Sequence, residues 1–267
     1  MGADIKALRG RIKSVDSTLH LTKAMGLVAS SKIRRATDAM QRGREYAEAL
    51  TQVVRALTAC PECGKSPYMR AAEGGRTKLI VIAGDRGLAG GYNANVFRLA
   101  ATFPDAELVP IGKRACDRYG APTVLSEHFD ARQAQELAVS LCREFCDGTV
   151  DRVGVLHTRY LSMLSQEAEV TWLLPLTRES SQAEHGMLFE PDELTVLDLS
   201  VPTYVAGMLT AAVRESFACE VAARRTAMDS AGKNAQQMIE DLQLQYNRAR
   251  QGAITQEITE IVAGSGA

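Results

Sequence analysis

The stretch TLHLTKAMGLVASSKIRRATDAM, residues 18–40, lies inside a regular pattern that decides the fold. From Ile5 to Leu57, apolar or small residues recur at alternating steps of three and four residues, about 3.5 residues per step, which is the period of a left-handed coiled coil. The first proline is Pro61, so nothing interrupts the pattern, and it predicts one long helix over residues 1–60. The positions of this seam are Ile5, Leu8, Ile12, Val15, Leu19, Thr22, Gly26, Ala29, Ile33, Ala36, Met40, Gly43, Ala47, Leu50, Val54 and Leu57.

A second regular pattern occupies the C-terminal part of the chain. No proline follows Pro202, and a proline is well placed in the first turn of a helix. Small and apolar residues then recur about every 3.7 residues, which favours a straighter or slightly right-handed helix. We therefore predict a helix over residues 201–267. Its seam consists of Val205, Leu209, Ala212, Ser216, Cys219, Ala223, Ala227, Ala231, Ala235, Met238, Leu242, Tyr246, Ala249 and Ala253.

The centres of both seams carry small residues where most helices have Leu. Small residues let helix axes approach closely, although each Gly in a helix interior costs about 1 kcal/mol relative to Ala. Two long helices with matching small-residue stretches are predicted to pair antiparallel as a thin coiled coil. The alternative is a kinked or weakly packed helix at Gly26 and Gly43.

The segment between the two helices alternates predicted strands and helices. KLIVIA, residues 78–83, and the segments AELVPIG, DRVGVLHTRYL and AEVTWLLPLT are rich in Val, Ile and Leu, which is typical of strands, and ARQAQELAVSLCREFC is helical in pattern. Such alternation indicates an open sheet with parallel pairs. The predicted fold class is therefore α/β: an antiparallel coiled coil of the terminal helices with an inserted Rossmann-like α/β domain over residues 77–200, which follows a linker over residues 61–76.

Composition excludes several classes of protein. Apolar residues make up 46% of the chain and charged residues 24%, as in globular proteins. The longest run without a charged residue, Leu199–Val213, is too short to cross a bilayer, so no membrane span is expected. The six cysteines are scattered, which fits free thiols in a reducing compartment. Cys60 and Cys63 form half of a zinc motif without a second half, so no metal is expected.

Charge is distributed unevenly along the chain. Its net value is −1, but residues 1–57 carry eleven Lys or Arg against five Asp or Glu. A basic helix can bind nucleic acid, acidic lipid or an acidic protein surface, or it can be a solvated face. The low aromatic content, 5%, disfavours binding of single-stranded nucleic acid. A self-associating scaffold and a DNA-binding protein remain alternatives, which homodimers in light scattering and salt-sensitive DNA binding would reveal.

The glycine-rich loop GDRGLAGG, residues 84–91, is the strongest candidate for local chemistry. It lies between a predicted strand and a helix, where phosphate-binding loops occur. Its glycine spacing fits neither nucleotide-binding fingerprint, and no Lys follows to reach a terminal phosphate. We predict a tight turn fixed by a contact between Asp85 and Arg86. A nucleotide-binding enzyme is the alternative, and ATP binding by the purified chain would support it.

No other catalytic arrangement is evident in the sequence. The four histidines are scattered, and no nucleophile elbow of the form G-x-S-x-G occurs. No cofactor is therefore expected. The C-terminal end is unusual, because no basic residue follows Arg250 although cations normally complement the C-terminal dipole of a helix. An end that instead carries Ile254, Ile258, Ile261 and Val262 suits insertion into a protein sleeve.

Three blocks of this sequence resemble the gamma subunit family of bacterial F-type ATP synthases. They are LTKAMGLVASSKIRRA, GDRGLAGGYN and LQLQYNRARQGAITQEITEIV, in the order and spacing of that family. The resemblance implies a non-catalytic rotor shaft inside a ring of alpha and beta subunits, which couples ion-driven rotation to ATP synthesis. It also implies a foot that contacts the epsilon subunit and the c-subunit ring. Membrane association would be through partners only, on the cytoplasmic face of the cell membrane, with no nucleic acid bound.

The resemblance also assigns roles to individual residues. Contacts that couple the shaft to the beta subunits would come from Lys23, Met25, Arg224, Gln251, Thr255 and Glu257. The segment FEPD would be the foot, with Phe189 and Glu190 at the c ring. This chain departs from the family pattern at Gly26, where an acidic residue is frequent, and at Ala89, where Cys is usual. The first departure leaves the contacts around Met25 open.

Overall fold

The structure is a computed structural model that describes residues 2–70, 75–178 and 188–265. The elements, in chain order, are helix α1 (Gly2–Ala59), two 3-10 helices (Pro61–Lys65 and Pro67–Met69), β1 (Thr77–Ile82), α2 (Tyr92–Ala100), β2 (Glu107–Ile111), α3 (Lys113–Tyr119), a 3-10 helix (Ser126–His128), α4 (Ala131–Cys146), β3 (Arg152–Tyr160), β4 (Gln166–Leu174) and α5 (Glu193–Ser265). The chain divides into two compact units. The helix-pair unit comprises Met1–Ser31 and Arg224–Ala267, and the sheet unit comprises Lys32–Ala223.

The long N-terminal helix is confirmed. Helix α1 ends at Ala59, and every position of the predicted seam from Ile5 to Leu57 is buried or half-buried. Most residues between the seam positions are exposed. The sequence pattern was sufficient here because a heptad repeat determines which face of a helix is covered.

The C-terminal helix begins earlier than its predicted start near Pro202. Helix α5 starts at Glu193, and Pro202 lies inside it. The carboxylate of Asp192 accepts hydrogen bonds from the backbone N–H and the hydroxyl of Thr195, both at 2.8 Å. These bonds cap the N-terminus of the helix, since the first turn has N–H groups without intrahelical partners. The cap at Asp192, rather than the proline, therefore determines where the helix begins.

In the helix-pair unit, α1 and α5 pack antiparallel. A Cβ built on Gly26 would lie 3.7 Å from Cβ of Met228, and one built on Gly232 would lie 3.6 Å from the hydroxyl oxygen of Thr22. The numbers of facing residues thus add to about 254, which defines an antiparallel register. A small core of Leu19, Ala235 and Ile239, with Val15 against it, holds the two helices together. The predicted antiparallel pairing is confirmed.

One position of the predicted C-terminal seam is wrong. Met238 is 43% exposed, whereas its neighbour Ile239 is 7% exposed and lies in the core. From Ala235 onward the buried or half-buried positions advance by four and three residues alternately, which is the seven-residue repeat of α1 rather than the 3.7-residue spacing expected. The positions are Ala235, Ile239, Leu242, Tyr246, Ala249 and Ala253.

The sheet has four strands in the order β2-β1-β3-β4. β1 is parallel to both of its neighbours, as predicted, and β3 and β4 form an antiparallel pair. The five residues that join β3 to β4 are too few for a crossover, so this pair has to be a hairpin. The predicted linker also differs from expectation, because Cys63 and Tyr68 of its 3-10 helices are buried in the core.

Helices cover both faces of the sheet. On one face, Leu79, Val81 and Leu156 pack with Val96 of α2 and Ala115 of α3. On the other face, the strands pack with α4 and with the parts of α1 and α5 that belong to the sheet unit. Residues of this larger core include Ile80, Ile82, Val155, Leu141, Phe145, Leu57, Val205 and Leu209. The two long helices therefore supply part of the core of the α/β domain.

Within Glu193–Gly264 of α5, one 18-residue window is apolar enough to cross a membrane by length and composition, with a mean hydropathy of 1.5. Such a window is weak evidence, since core helices of soluble proteins pass the same test. In the sheet unit, Leu197, Val201 and Leu209 of this helix are fully buried among core residues. Packing against the sheet therefore accounts for the apolar composition.

Candidate functional site

The first group of predicted contact residues lies on one stretch of the helix-pair unit. Lys23 is exposed, and Met25 and Arg224 are half-buried. The Nη1 atom of Arg225 donates a 2.6 Å hydrogen bond to the hydroxyl of Ser30, which fixes this part of α5 beside the Met25 segment of α1. The structure thus brings Lys23, Met25 and Arg224 to neighbouring positions along the paired helices.

Exposed apolar side chains flank this group on α1. Leu27 is 72% exposed, and Leu21 and Val28 are also more than half exposed. Contiguous apolar surface is uncommon on proteins that work alone and marks surfaces that bind partners. Lys23 and Met25 therefore lie on a stretch of α1 that exposes three large apolar side chains.

The second group lies on the terminal stretch of α5. Gln251, Thr255 and Glu257 are all exposed, and the hydroxyl of Thr255 donates a 2.9 Å hydrogen bond to the carbonyl of Gln251. The antiparallel register places Ala253 opposite the start of α1, so within the described part of the chain no residue of α1 faces the positions beyond it. Ile254, Ile258, Ile261 and Val262 are exposed for this reason. Because 27 residues of helix separate Arg224 from Gln251, roughly 40 Å, the two groups are separate surfaces.

The predicted foot residues lie in the sheet unit, directly before α5. Phe189 is half-buried and packs against the larger core, whereas Glu190 is exposed. Leu188 beside them is 85% exposed. Phe189 therefore anchors this segment, and Glu190 and Leu188 are available for a contact.

The glycine-rich loop is fixed by a residue that the sequence analysis missed. Glu220 of α5 is 1% exposed, and its carboxylate accepts hydrogen bonds from the backbone N–H groups of Asp85 at 3.2 Å and Arg86 at 3.1 Å. Successive backbone N–H groups of this kind form the anion-binding cradle found in phosphate loops. A Cβ at Gly84 would lie 2.7 Å from Cδ of Glu220, so only glycine permits this approach.

The predicted contact between Asp85 and Arg86 is not what fixes this turn. Among the described residues, the carboxylate of Asp85 instead accepts hydrogen bonds from the backbone N–H groups of Lys113, Ser126 and Glu127 and from the hydroxyl of Ser126, at 2.8–3.0 Å. The guanidinium of Arg86 lies 3.7 Å from the carboxylate of Glu127. The physical reason is that four donors from other segments satisfy the Asp85 carboxylate better than an exposed neighbour.

A second carboxylate of α5, Glu215, connects α5 to α1 and to strand β3 inside the sheet unit. It accepts a 2.5 Å hydrogen bond from Nη2 of Arg44 on α1 and a 2.8 Å bond from the backbone N–H of Tyr160 at the end of β3. Next to it, the hydroxyl of Ser216 accepts a 3.2 Å hydrogen bond from the backbone N–H of Thr158. The sequence signal for Glu215 and Glu220 is that each is an acidic residue next to a small seam residue of α5.

A cavity of about 650 Å³ lies beside Glu215, between the sheet and the two long helices of the sheet unit. Buried His157 of β3 borders it, with Nε2 3.0 Å from the hydroxyl of Thr171 and 3.7 Å from the carboxylate of Glu169. Burial lowers the pKa of His157 below its usual value, although the charges of Glu215 and Glu169 oppose the shift. At a given pH the imidazole is therefore protonated to a smaller extent in the folded protein than in the unfolded chain.

This burial predicts a pH dependence of stability. The unfolded chain takes up a proton at the ordinary His pKa of about 6.5, and the folded chain does so only at a lower pH. The free energy of unfolding should therefore fall as the pH drops below about 6.5, by at most about 1.4 kcal/mol per pH unit for one proton. Urea titrations at several pH values, followed by fluorescence of the single tryptophan, Trp172, measure this slope.

The variant His157→Gln should have a shallower pH slope than the parent chain. Exposed His128→Gln is the matched control and should leave the slope unchanged. If all three chains show the same slope, the burial of a neutral imidazole has no influence on stability, and the prediction is wrong.

Comparison with known proteins agrees with these features. A family profile described as "ATP synthase" matches residues 4–267. The ATP synthase gamma chain of Ruminococcus albus is 40% identical over 98% of each chain. The sodium ion specific ATP synthase gamma chain of Acetobacterium woodii is 35% identical over 100% of this chain and 99% of its own. In a cryo-EM structure of Euglena gracilis mitochondrial ATP synthase containing OSCP, F1 and the c-ring, one chain matches with a TM-score of 0.71 and 20% identity, over 100% of this chain and 95% of that one.

An antiparallel pair of terminal helices joined to an α/β domain, with exposed apolar surface along the pair, defines a subunit built to bind other proteins. The sequence matches extend over nearly the whole chain and agree with the three blocks identified above. The chain belongs to the ATP synthase gamma chain family.

Proposed function

We propose that this chain is the central rotor shaft of an F-type ATP synthase and performs no bond chemistry itself. The chain belongs to the gamma chain family, and one observation carries the proposal. The terminal stretch of α5 exposes several apolar side chains and has no basic residue after Arg250. Such an end suits rotation inside a ring of alpha and beta subunits. Long flexible cations there would form ion pairs that resist release at each step.

The coupling is mechanical. A partner can shift a conformational equilibrium only by binding one state better than another. Each angle of an asymmetric shaft would favour a different conformation of each surrounding beta subunit, where ATP is made. A nucleotide site on this chain is disfavoured, because the amides of Asp85 and Arg86 are already occupied by Glu220.

The separation of the contact groups supports two levels of contact along the shaft. Lys23, Met25 and Arg224 would contact beta subunits at one level. The exposed polar groups of Gln251, Thr255 and Glu257 would form hydrogen bonds that are made and broken in rotation at another level. Glu190 would contact the polar loops of the c ring, with Phe189 as its anchor, and the epsilon subunit would bind near this foot.

Such a shaft would lie at the cytoplasmic face of the cell membrane and reach the membrane only through its partners. Ion flow through the c ring would turn the ring and the shaft together. The coupling ion is a property of the c ring, so the sodium specificity of the Acetobacterium woodii relative does not transfer to this chain through the shaft residues.

Co-expression with the alpha and beta subunits of the same organism tests the proposal. We expect one complex that retains the chain through affinity purification and gel filtration and hydrolyses ATP. The chain alone should give no heat with ATP in calorimetry. A chain that stays out of the complex, or that alone binds ATP with micromolar affinity, would overturn the proposal.

A further inference from the structure

A continuous chain of polar contacts joins α5 to α1 through the α/β domain, entirely within the sheet unit. It starts at Glu220, whose carboxylate is buried and accepts the backbone N–H groups of Asp85 and Arg86. Each carboxylate oxygen accepts one of these bonds, so the arrangement uses both. Hydrogen bonds to an ionised acceptor are about twice as strong as neutral ones.

The second link is the side chain of Asp85. One oxygen accepts the backbone N–H groups of Lys113, at the start of α3, and Ser126. The other accepts the hydroxyl of Ser126 and the backbone N–H of Glu127. The loop held by Glu220 is therefore itself bonded to two further segments of the α/β domain.

The third link reaches the other long helix. The carboxylate of Glu127 lies 2.6 Å from Nζ of Lys32 on α1 and 3.7 Å from the guanidinium of Arg86 in the glycine-rich loop. The side chains of Lys32 and Glu127 are each about one-third exposed, 38% and 29%. Both α1 and α5 are thus connected by polar contacts to the glycine-rich loop and the segments bonded to it.

We propose that Glu220, Asp85, Glu127 and Lys32 form a clamp that fixes both long helices to the α/β domain while torque passes between them. This inference rests on the proposed rotor function. Burial of apolar surface is non-directional, so of the two kinds of contact it gives the weaker control over sliding or turning of a helix against the sheet. Hydrogen bonds and ion pairs depend on direction and distance, so these four residues resist that displacement. They are positioning residues, since they act through the helices on the partner subunits.

The functional test compares ion pumping per ATP hydrolysed in the complete complex, reconstituted in vesicles. In Lys32→Glu, two carboxylates face each other, and the ratio of pumping to hydrolysis should fall at least about twofold, because an attractive pair becomes a repulsive one. The double variant Lys32→Glu with Glu127→Lys restores opposite charges and should recover most of the ratio. Arg132→Glu, which breaks an ion pair within α4, is the matched control and should leave the ratio unchanged.

A second measurement tests the buried link on the isolated full-length chain. Glu220→Gln replaces one acceptor oxygen by an NH₂ group that faces a backbone N–H. Amide hydrogen exchange at Asp85 and Arg86 should then be about tenfold faster, as expected for the loss of one hydrogen bond to a charged group. Exchange in α4, which carries neither of the two amides that Glu220 binds, serves as the internal reference.

The clamp is refuted if Lys32→Glu pumps with the parent ratio, or if the charge exchange fails to restore a lowered ratio. Unchanged exchange at Asp85 and Arg86 in Glu220→Gln would remove the buried link. A merely structural role would change melting temperature or yield without changing the pumping ratio. If the parent complex itself fails to assemble or pump, the rotor function fails, and the exchange result still decides whether Glu220 holds the loop.

Discussion

Replacing Glu215 by Leu should lower the free energy of unfolding of the sheet unit by about 3 kcal/mol. The change removes the partner of Arg44 and leaves the backbone N–H of Tyr160 without its acceptor. Breaking a buried ion pair from one side is costly, because the remaining charge stays desolvated. Since the side chain of Arg44 is one-third exposed, we place the effect at the low end of the usual range. Urea unfolding followed by Trp172 fluorescence measures it.

The matched control is Glu136→Leu, which removes an exposed carboxylate paired with Arg132 on α4. An exposed pair of this kind contributes less than about 1 kcal/mol. Replacing both Arg44 and Glu215 by apolar residues should recover part of the loss, because no unpaired charge then remains. Equal effects of Glu215→Leu and Glu136→Leu would show that burial gives the first pair no special importance.

Bulky substitution at the two seam glycines of α1 should have different outcomes. A Cβ at Gly43 would lie 3.4 Å from both Cα of Ala211 and Cδ of Arg214, so Leu there would press on the backbone of α5. We expect Gly43→Leu to destabilise the sheet unit by about 1–3 kcal/mol or more. A Cβ at Gly26 would meet only Cβ of Met228, at an ordinary 3.7 Å. Gly26→Leu should therefore leave the sheet unit folded but thicken the helix pair.

The effect of Gly26→Leu on the assembled complex distinguishes the rotor function from the other possible functions of the chain. In the complex with alpha and beta subunits, the thicker shaft should impair assembly or ATP turnover. Gly26→Ala is the control: its methyl group makes an ordinary contact, and a helical Ala is favoured over Gly by up to about 1 kcal/mol. Wild-type assembly and turnover in Gly26→Leu would argue against a closely fitting ring around this stretch.

The helices and the sheet were largely predictable from the sequence, because their signals are local and repeated. The seam of α1, the parallel strand pairs and the exposed apolar end of α5 follow from periodicity and composition. For the glycines, the sequence predicted close approach at Gly26 and Gly43 alike. The structure distinguishes the two positions, since a Cβ at Gly43 would lie 3.4 Å from the backbone of Ala211 on α5, whereas one at Gly26 would make an ordinary 3.7 Å contact with Met228.

The polar contacts within the sheet unit were not predictable. Glu215 and Glu220 bond to segments 55 and about 135 residues away in the sequence. The local sequence pattern does not indicate which distant backbone N–H groups will donate hydrogen bonds to a buried carboxylate. The predicted turn contact between Asp85 and Arg86 is wrong for the same reason. The donors that the Asp85 carboxylate binds come from segments distant in the sequence, not from its neighbour. The start of α5 differs from the predicted one because the capping carboxylate of Asp192, and not Pro202, determines it.

The stretch of α5 beyond Ala253 has a thermodynamic consequence for assembly. It is about a dozen residues of single helix with its apolar side chains in water, and isolated helices of that length are marginally stable. In the free chain the free energy that favours its helical form is therefore small, and most of its stabilisation would have to come from a partner surface that covers it. Folding of this segment is thus linked to capture by the partners, so an incomplete complex would leave its last turns frayed.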